Sequence, residues 1–175
     1  MSQPFIAILM GSENDLNTMT HCTDVLSLFN IPHEVRVLSA HRTPELTAQY
    51  VKDSQTRGAQ VFIAAAGMAA HLAGAVAAHS TRPVIGVPLA ASDLDGMDSL
   101  LSTAQMPGGM PVACMCIGKA GAINAGHLAA QILAIHDPEL HTAILTQRDK
   151  KRQSIMAANQ KLQDALKETQ RESIE

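Results

Sequence analysis

The sequence predicts a doubly wound α/β fold, in which helices cover both faces of a parallel sheet. Two patterns support this prediction. Five short aliphatic runs without polar alternation each end in Gly, Pro or Ser, which is typical of strands buried in a parallel sheet. Segments with the apolar spacing of helices separate several of these runs, as expected for a chain of β-α-β units.

The five predicted strands are FIAILMG, HEVRVLSA, VFIAAAG, PVIGVPL and VACMCIG, in chain order. Aromatic residues make up only 2% of the 175 residues, so the core must consist of Ala, Val, Ile, Leu and Met. In sheets of this kind ligands bind beyond the carboxyl ends of the strands, near the point where the strand order reverses. A functional site is therefore expected in the loops that follow these runs.

Two of the intervening helices have recognisable boundaries. In DLNTMTHCTDVLSLFN the apolar residues at helical spacing are Leu16, Met19, Leu26 and Phe29. In TPELTAQYVKDSQTRG, Thr43 is the N-cap candidate, Pro44 is at the first helical position and Gly58 is the C-cap. The apolar face of this second helix is predicted to carry Leu46, Tyr50 and Val51.

The character of the chain changes near residue 137. We assign residues 1–140 to the α/β domain and residues 141–175 to a polar C-terminal extension of one or two helices. An apolar stripe recurs in this extension at helical spacing: Ile155, Ala158, Leu162 and Leu166. The favoured interpretation is that the stripe packs on a neighbouring subunit, and the alternative is a frayed, solvated tail.

Composition and charge narrow the class of ligand. The formal net charge is −3 and no basic run occurs in the body of the chain, which argues against a nucleic acid or a membrane as partner. No segment has the composition of a membrane span or a secretory signal. We therefore expect a cytoplasmic protein that binds a small molecule. The cysteines are interpreted as reduced packing residues, not as disulfide or zinc ligands: Cys22, Cys114 and Cys116.

Two of the predicted loops carry residues suited to an anionic ligand. MGSENDL places small polar residues at the start of a helix, where free N–H groups favour a phosphate or ribose hydroxyls. It lacks the glycines and lysine of the known nucleotide loops, so Asn14 or Asp15 acting only as a cap is an equal alternative. SAHRTP sets Arg42, a bidentate anion donor, beside His41, which can move a proton. The alternative for this pair is a surface ion pair and a solvated imidazole.

The other loops are less specific. AAGMAAHLAG adds His71, which is either a ligand contact or a structural histidine. SDLDGMDSLLSTAQMPGGMPV is interpreted as a long loop with Gly and Pro clustered at residues 107–111. IGKAG, which contains Lys119, is either an anion loop or the ordinary start of a helix. With no activated nucleophile, metal triad or carboxylate pair recognised, the residues favour noncovalent acid–base chemistry on a phosphorylated small molecule.

With these motifs in order, the chain resembles the 5-(carboxyamino)imidazole ribonucleotide mutase family of purine biosynthesis, in its bacterial-type class. The resemblance extends from Phe5 to about Leu140 and rests on MGSENDL, SAHRTP, AAHLAG, GVPL, DSLLSTAQMPGGMPV and IGKAGAINAGHLAAQIL. It implies a flavodoxin-like three-layer α/β/α sandwich with a five-stranded parallel sheet. It also implies a homo-oligomer, typically an octamer, with active sites near subunit interfaces and the C-terminal helix on a neighbour.

The resemblance further implies an isomerase that moves a carboxylate from the exocyclic amine of an aminoimidazole ribonucleotide to ring carbon 4, without a metal or an organic cofactor. The family motif assigns the proton shuttle to His41. The positions that match the substrate-binding residues are Ser12, Asn14, Asp15, Ser39, Ala40, Arg42, Gly67, Ala70, His71 and Leu72. The QMPGGMP loop is expected to close a pocket, from the same or an adjacent subunit.

Some positions depart from the family pattern. Serine is expected at Asn14, a more glycine-rich loop at Ala65 and Met68, and proline at Ala73. Asn14 still donates a hydrogen bond, whereas Met68 is expected to narrow the pocket or to be strained at a backbone angle that favours glycine. Two other functions stay open: direct carboxylation of aminoimidazole ribonucleotide by carbon dioxide, and a noncatalytic flavodoxin-like nucleotide-binding protein.

Overall fold

The structure of the protein, a computed structural model, describes residues 4–172. Five parallel strands form one sheet in the order β2-β1-β3-β4-β5. The strands are β1 Phe5–Met10, β2 His33–Val37, β3 Ala59–Gly67, β4 Val84–Leu89 and β5 Ala113–Cys114. The helices are α1 Leu16–Leu28, α2 Pro44–Arg57, α3 Leu72–His79, α4 Met97–Ala104, α5 Gly118–Ala134 and α6 Pro138–Glu172. This strand order is that of flavodoxin-like folds, which confirms the predicted fold class.

The core of the sheet lies in its three central strands. β1 and β4 are buried along their whole length, and β3 is buried over most of its residues. α2 and α3 contact each other and pack on β3. The ring of Phe29, the C-cap residue of α1, meets that of His127 on α5 edge to face, with centroids 5.8 Å apart. The aliphatic and alanine-rich runs thus form a close-packed core with few aromatic rings, as the composition predicts.

Strand β2 differs from the prediction of a sheet covered on both faces. Its last three residues are exposed, because β2 lies at the edge of the sheet. Arg57 of α2 donates two hydrogen bonds to the Glu34 carboxylate, at 2.5 and 2.9 Å, and Tyr50 Oη donates a third at 3.1 Å. The Arg57 hydrogen bonds hold the pKa of Glu34 below its usual range. The polar face of β2 therefore binds the C-terminal part of α2 to the sheet edge.

The region after β4 contains a helix that the sequence prediction missed. The stretch predicted as a long loop includes α4, and the loop proper begins after Ala104. The buried positions of α4 are Ser99 and Thr103, whose hydroxyls donate to the carbonyl oxygens of Leu89 and Ser99. Because hydroxyl residues occupy the inner face, the apolar periodicity that identifies a helix is weak here.

The three cysteines differ in burial: Cys22 is buried, Cys114 is half-buried and Cys116 is exposed. Cys22 is buried on α1, and burial raises the pKa of its thiol to about 12, so it is a packing residue as predicted. β5 is only two residues long and ends at Cys114, which leaves Cys116 beyond the strand. Cys116 is exposed, so its predicted packing role is wrong.

Two helical faces also differ from their predictions. In α1 Leu16 is exposed, and the buried residues are Met19, Cys22, Val25 and Leu26. In α2 Leu46 is exposed, and the buried residues are Thr47, Val51 and Ser54. Both errors have the same cause. In each helix a side chain with a sulfur or hydroxyl group, Cys22 in α1 and Thr47 in α2, lies on the buried face, while a leucine on the neighbouring face is exposed. The helix end was predicted correctly, since Gly58 caps α2 at a φ of 109°, in the left-handed region.

The chain divides into two compact units between Leu133 and Ala134. The first unit contains the sheet, and the second contains α6, a single helix of 35 residues. The predicted apolar stripe lies on α6, with Ile155, Leu162 and Leu166 exposed. The assignment of residues 141–175 to a subunit contact stays a prediction, and residues 173–175 lie outside the described residues. In residues 4–172 no helix is both long enough and apolar enough to cross a membrane.

Candidate active site

A cavity of about 320 Å³ opens beyond the carboxyl ends of β1, β2 and β3. This is the point where the strand order reverses, because the chain passes outward from β1 to β2 and returns across β1 to β3. Nine of the residues predicted for the site line this cavity: Ser12, Asp15, Ser39, Ala40, His41, Arg42, Gly67, His71 and Leu72. Strand order therefore brings together three loops that are distant in sequence.

The loop after β1 is a capping structure with its carboxylate on the cavity wall. Ser12 caps a short 3-10 helix, Glu13–Asp15, and its backbone N–H donates to the Asp15 carboxylate at 2.9 Å. The Ser12 hydroxyl accepts a hydrogen bond from the Asn14 N–H at 3.3 Å. Asp15 is only 8% exposed, and this burial raises the pKa of its carboxyl group, although the Ser12 hydrogen bond opposes the shift. Asp15 therefore caps its own loop and still faces the cavity.

The loop after β2 is closed by hydrogen bonds to Ser39. Thr43 Oγ1 accepts from the Ser39 N–H at 3.0 Å and donates to the Ser39 carbonyl at 3.1 Å, so the Thr43 side chain binds back to the loop rather than capping α2. The Arg42 N–H donates to Ser39 Oγ at 3.1 Å. Buried Thr47 donates to the Thr43 carbonyl at 2.9 Å. These bonds fix the backbone on both sides of His41.

His41 and His71 come from different loops and meet at the cavity. Their ring centroids are 5.4 Å apart, with the planes tilted by 45°. His71 occupies the N-cap position of α3 without a side-chain cap hydrogen bond. Both side chains line the cavity, so two imidazoles are available to a bound ligand.

Arg42 provides a positive charge at the same cavity. Within the described part of the chain, the ion pairs involve other arginines: Arg36 and Arg57 with Glu34, and Arg152 with Asp149. The surface ion pair that was the alternative for Arg42 is not among them. A guanidinium at the rim of a cavity suits a phosphate or carboxylate ligand, which it can bind through two parallel hydrogen bonds.

The loop after β3 is shaped by close packing and an unusual backbone angle. A Cβ added to Gly67 would lie 2.5 Å from the Cβ of Ala91, so only glycine fits there without a shift. Met68 has a φ of +56°, in the left-handed region, which confirms the expectation of a backbone angle that favours glycine. The N–H of buried Ala70 donates to the Met68 carbonyl at 2.8 Å and closes the turn.

Residues 5–154 match the family model of AIR carboxylase. The chain belongs to the AIR carboxylase family. It is 50% identical to the N5-carboxyaminoimidazole ribonucleotide mutase of Bacillus subtilis over 160 residues, which are 91% of this chain and 99% of that protein. It is 51% identical to the mutase of the same name from Pseudomonas aeruginosa over 139 residues, 79% of this chain and 85% of the relative. The crystal structure of Treponema denticola PurE matches the fold with a TM-score of 0.83 at 28% identity, covering 91% of this chain and 99% of that one.

Two residues that the AIR carboxylase family resemblance assigns to the substrate do not line the cavity. Asn14 is exposed, because it lies between Ser12 and Asp15 on the 3-10 turn and those two residues share the side that faces the cavity. Ala70 is buried, because its turn directs it inward. The assignment of Asn14 and Ala70 to the substrate stays a prediction. Four lining residues were not predicted from the sequence, because they are small and carry no functional group: Gly11, Ala66, Ala69 and Ala91.

Two other candidate loops of this AIR carboxylase family member lie elsewhere. Gly109, Met110 and Pro111 line a separate cavity of about 750 Å³ with residues of α2 and α3. The QMPGGMP loop therefore does not close the cavity that contains His41 of its own chain, and its contribution to an adjacent subunit stays a prediction. Lys119 lies in the first turn of α5 and lines neither of these cavities, and the choice between an anion loop and an ordinary helix start is not decided by its position. In the described part of the chain, no three His, Cys, Asp or Glu side chains are placed to share a metal ion.

Proposed function

We propose that this protein is an N5-carboxyaminoimidazole ribonucleotide mutase of purine biosynthesis, which moves a carboxylate from the exocyclic amine to carbon 4 of the imidazole ring. The observation that carries the proposal is the convergence of His41, His71, Arg42 and Asp15 on one cavity, in a chain about half identical to relatives that bear this name. No group in this set is an activated nucleophile. The set combines anion binding with proton transfer, which is what a phosphorylated substrate and a carboxylate shift require.

The loops after β1 and β2 are proposed to bind the ribose phosphate. Arg42 is the phosphate donor, because it is the cation of the cavity lining and the described residues give it no ion pair. Ser12 and Ser39 add hydroxyl groups to the same wall. Asp15 accepts hydrogen bonds from the ribose hydroxyls. The imidazole ring then lies toward Gly67, His71 and Leu72, on the side of the loop after β3.

The chemistry needs two bond changes and two proton transfers. The N–C bond of the carbamate breaks, its electron pair returns to nitrogen, and nitrogen takes up a proton as carbon dioxide leaves. The enamine electrons of the ring then form the bond from carbon 4 to carbon dioxide, and carbon 4 loses its proton. If carbon dioxide stays over the ring, recapture is effectively intramolecular, and a high effective molarity replaces external activation.

His41 is proposed to carry both protons. It stands on a loop closed by hydrogen bonds among Ser39, Arg42 and Thr43, and its ring centroid lies 5.4 Å from that of His71. Histidine suits the role because it accepts and donates protons near neutral pH. Proton transfer by a positioned side chain contributes roughly 10²- to 10⁴-fold to a rate. His41→Asn should therefore reduce kcat by that factor while the protein folds normally.

The decisive experiment compares two substrates for the formation of one product. Purified protein is given either the N-carboxylated ribonucleotide or the free amine with bicarbonate, and formation of 4-carboxy-5-aminoimidazole ribonucleotide is measured. We expect faster turnover of the N-carboxylated substrate. The second candidate, direct carboxylation of the amine, is favoured by the name of the family model. Faster turnover of the amine with bicarbonate would establish that candidate and exclude the mutase.

Complementation tests the same assignment in cells. The gene should restore purine-independent growth to bacteria that lack the mutase, and the His41→Asn variant should not. His136→Asn is the matched control, because His136 is exposed and lies outside the cavity. Equal rescue by all three versions would remove His41 from the proton-transfer role. No rescue by the parent protein would leave the noncatalytic nucleotide-binding alternative.

We also propose that the protein works as a cytoplasmic octamer in which α6 packs on a neighbouring subunit. The support is the stripe on α6, where Ile155 is 72% exposed and Leu162 and Leu166 are at least half exposed. A long helix with an exposed apolar stripe is more stable when a partner covers the stripe. Light scattering on a size-exclusion column should give the mass of eight chains, and Leu162→Asp should lower it. An unchanged mass would exclude the stripe from the interface.

A further inference from the structure

Met68 combines a backbone conformation that disfavours side chains with a position at the mouth of the cavity. Its φ is +56°, and the residue is 59% exposed while it lines the cavity with His41 and His71. Left-handed backbone is unfavourable for residues that carry a Cβ, and glycine adopts it without this cost. The backbone conformation therefore does not explain why this position carries a methionine.

The neighbouring residues explain why the backbone turns here but do not explain the side chain. Gly67 must approach Ala91 closely, and Ala70 must turn inward to bond the Met68 carbonyl at 2.8 Å. Leu72 then begins α3 as a buried residue. These constraints impose the left-handed angle on residue 68 whatever its side chain. Strain that persists at a cavity wall is typical of residues retained for function.

Met68 differs in length and flexibility from the other apolar side chains of the cavity, which are Leu72 and several alanines. The polar side chains of the lining are Ser12, Asp15, Ser39, His41, Arg42 and His71. Met68 adds a long, flexible and apolar thioether on the side of the loop after β3. A ribonucleotide needs no such group for its phosphate or ribose. Carbon dioxide is uncharged and only a weak hydrogen-bond acceptor, so the groups that bind the nucleotide hold it weakly and an apolar cover adds to its retention.

We propose that Met68 is a positioning residue that covers the cavity mouth and retains carbon dioxide over the imidazole ring between its release and its recapture. The inference rests on the proposed mutase function. Retention matters because the cavity is open, and carbon dioxide that escapes leaves free amine instead of carboxylated product. An apolar side chain over the ring also excludes water from the site while the gas is free. The partition between product and released amine therefore measures what Met68 does.

The test uses three substitutions that separate the side chain from the backbone. Met68→Leu keeps apolar length and the Cβ, Met68→Ala keeps only the Cβ, and Met68→Gly removes both. Substrate labelled with ¹³C in its carboxylate is converted in excess unlabelled bicarbonate, and enzyme-free decarboxylation is subtracted. Two quantities are measured: released amine per product formed, and the fraction of product that retains the label.

We expect Met68→Ala and Met68→Gly to release several-fold more amine per turnover and to lose label, and Met68→Leu to behave as the parent. Met68→Gly alone should relieve the strain and raise Tm, by about 2–4 °C. Met97→Ala is the matched control, because Met97 is an exposed methionine outside the cavity, and its partition should be unchanged.

The outcomes separate this inference from the function on which it rests. If the parent protein forms no carboxylated product from the N-carboxylated substrate beyond the enzyme-free rate, the mutase assignment itself fails. If the parent converts the substrate and the Ala and Gly variants partition as the parent does, carbon dioxide retention by Met68 is excluded and the mutase stands. If Met68→Leu releases as much amine as Met68→Ala, apolar coverage is excluded as well.

Discussion

The loops after β2 and β3 bring one histidine each to the same cavity, but they are held by different forces. The loop that carries His41 is closed by hydrogen bonds among Ser39, Arg42 and Thr43. The loop that carries His71 depends on the close approach of Gly67 to Ala91 and on the left-handed angle of Met68. Hydrogen bonds of the first kind lie within one short segment. Packing of the second kind involves a separate strand end, so the two loops should respond differently to substitution.

The largest effect on stability is expected where the second loop is packed. Gly67→Ala places a Cβ 2.5 Å from the Ala91 Cβ and 3.2 Å from the Leu89 carbonyl oxygen. Overpacking of this kind costs about 1–3 kcal/mol. Since Gly67 and Ala91 both line the cavity, mutase activity should fall with stability. Thermal unfolding should show a Tm lower by about 2–10 °C, and a steady-state assay should show the loss of turnover.

Gly108→Ala is the control for that experiment. A Cβ added to Gly108 would meet no atom within 4 Å, and its backbone is not left-handed. The control should unfold at the same temperature as the parent. If Gly67→Ala also unfolds at that temperature, Ala91 moves freely and the loop after β3 is not held by packing.

A smaller effect is expected in the hydrogen-bonded loop. Thr47→Val keeps the shape of a side chain that is 1% exposed and removes the hydroxyl that donates to the Thr43 carbonyl. The loss of one such hydrogen bond costs about 1 kcal/mol, or roughly 2–4 °C in Tm. Because Thr43 closes the loop around His41, kcat should fall several-fold with little change in KM.

Thr56→Val provides the comparison within the same helix. The Thr56 hydroxyl donates to the Lys52 carbonyl at 3.1 Å but is exposed, so water replaces the lost bond. Tm and kcat should not change. Equal losses for both variants would mean that helix propensity, rather than the loop around His41, causes the effect.

The parts of the fold that the sequence predicted are those in which burial and apolar character coincide. β1, β3 and β4 are continuous aliphatic runs in the centre of the sheet, and each was predicted within about two residues of its bounds. α4 was missed because Ser99 and Thr103 are its buried residues. Edge strand β2 was predicted, but its exposure was not, because strand order is a property of the whole chain. Periodicity identifies a helix by its apolar side chains. On the buried face of α4, hydroxyl side chains bonded to nearby carbonyl oxygens stand where apolar side chains are expected.

The candidate site shows the same division. His41, Arg42 and Asp15 were predicted because their side chains have a recognisable chemistry, and all three line the cavity. The distance between His41 and His71 follows from strand order and could not be predicted from spacing. Ala91 carries no chemical signal and matters only because Gly67 lies against it. Asn14 does not line the cavity although its neighbours Ser12 and Asp15 do, because a helical turn directs successive side chains to different sides.

The smallest stability effect concerns the loop after β1, where hydrogen bonding and burial oppose each other in one residue. Burial raises the pKa of Asp15, so between the ordinary pKa of an aspartate and this raised value the folded chain keeps a proton that the unfolded chain loses. Stability therefore falls as pH rises through that window and stays lower above it.

Asp15→Asn removes the ionisation and keeps an oxygen that accepts the Ser12 N–H. We expect the variant to have a higher Tm than the parent at neutral pH, and the difference in Tm to narrow toward about pH 4. Its KM should be higher, because the ribose hydroxyls lose a carboxylate as hydrogen-bond acceptor. The opposite result would be a variant that is less stable than the parent at neutral pH by an amount that does not depend on pH. The Ser12 hydrogen bond would then outweigh the burial of the Asp15 charge. The loop after β1 would be held by local interactions without a destabilising buried charge, like the loops after β2 and β3.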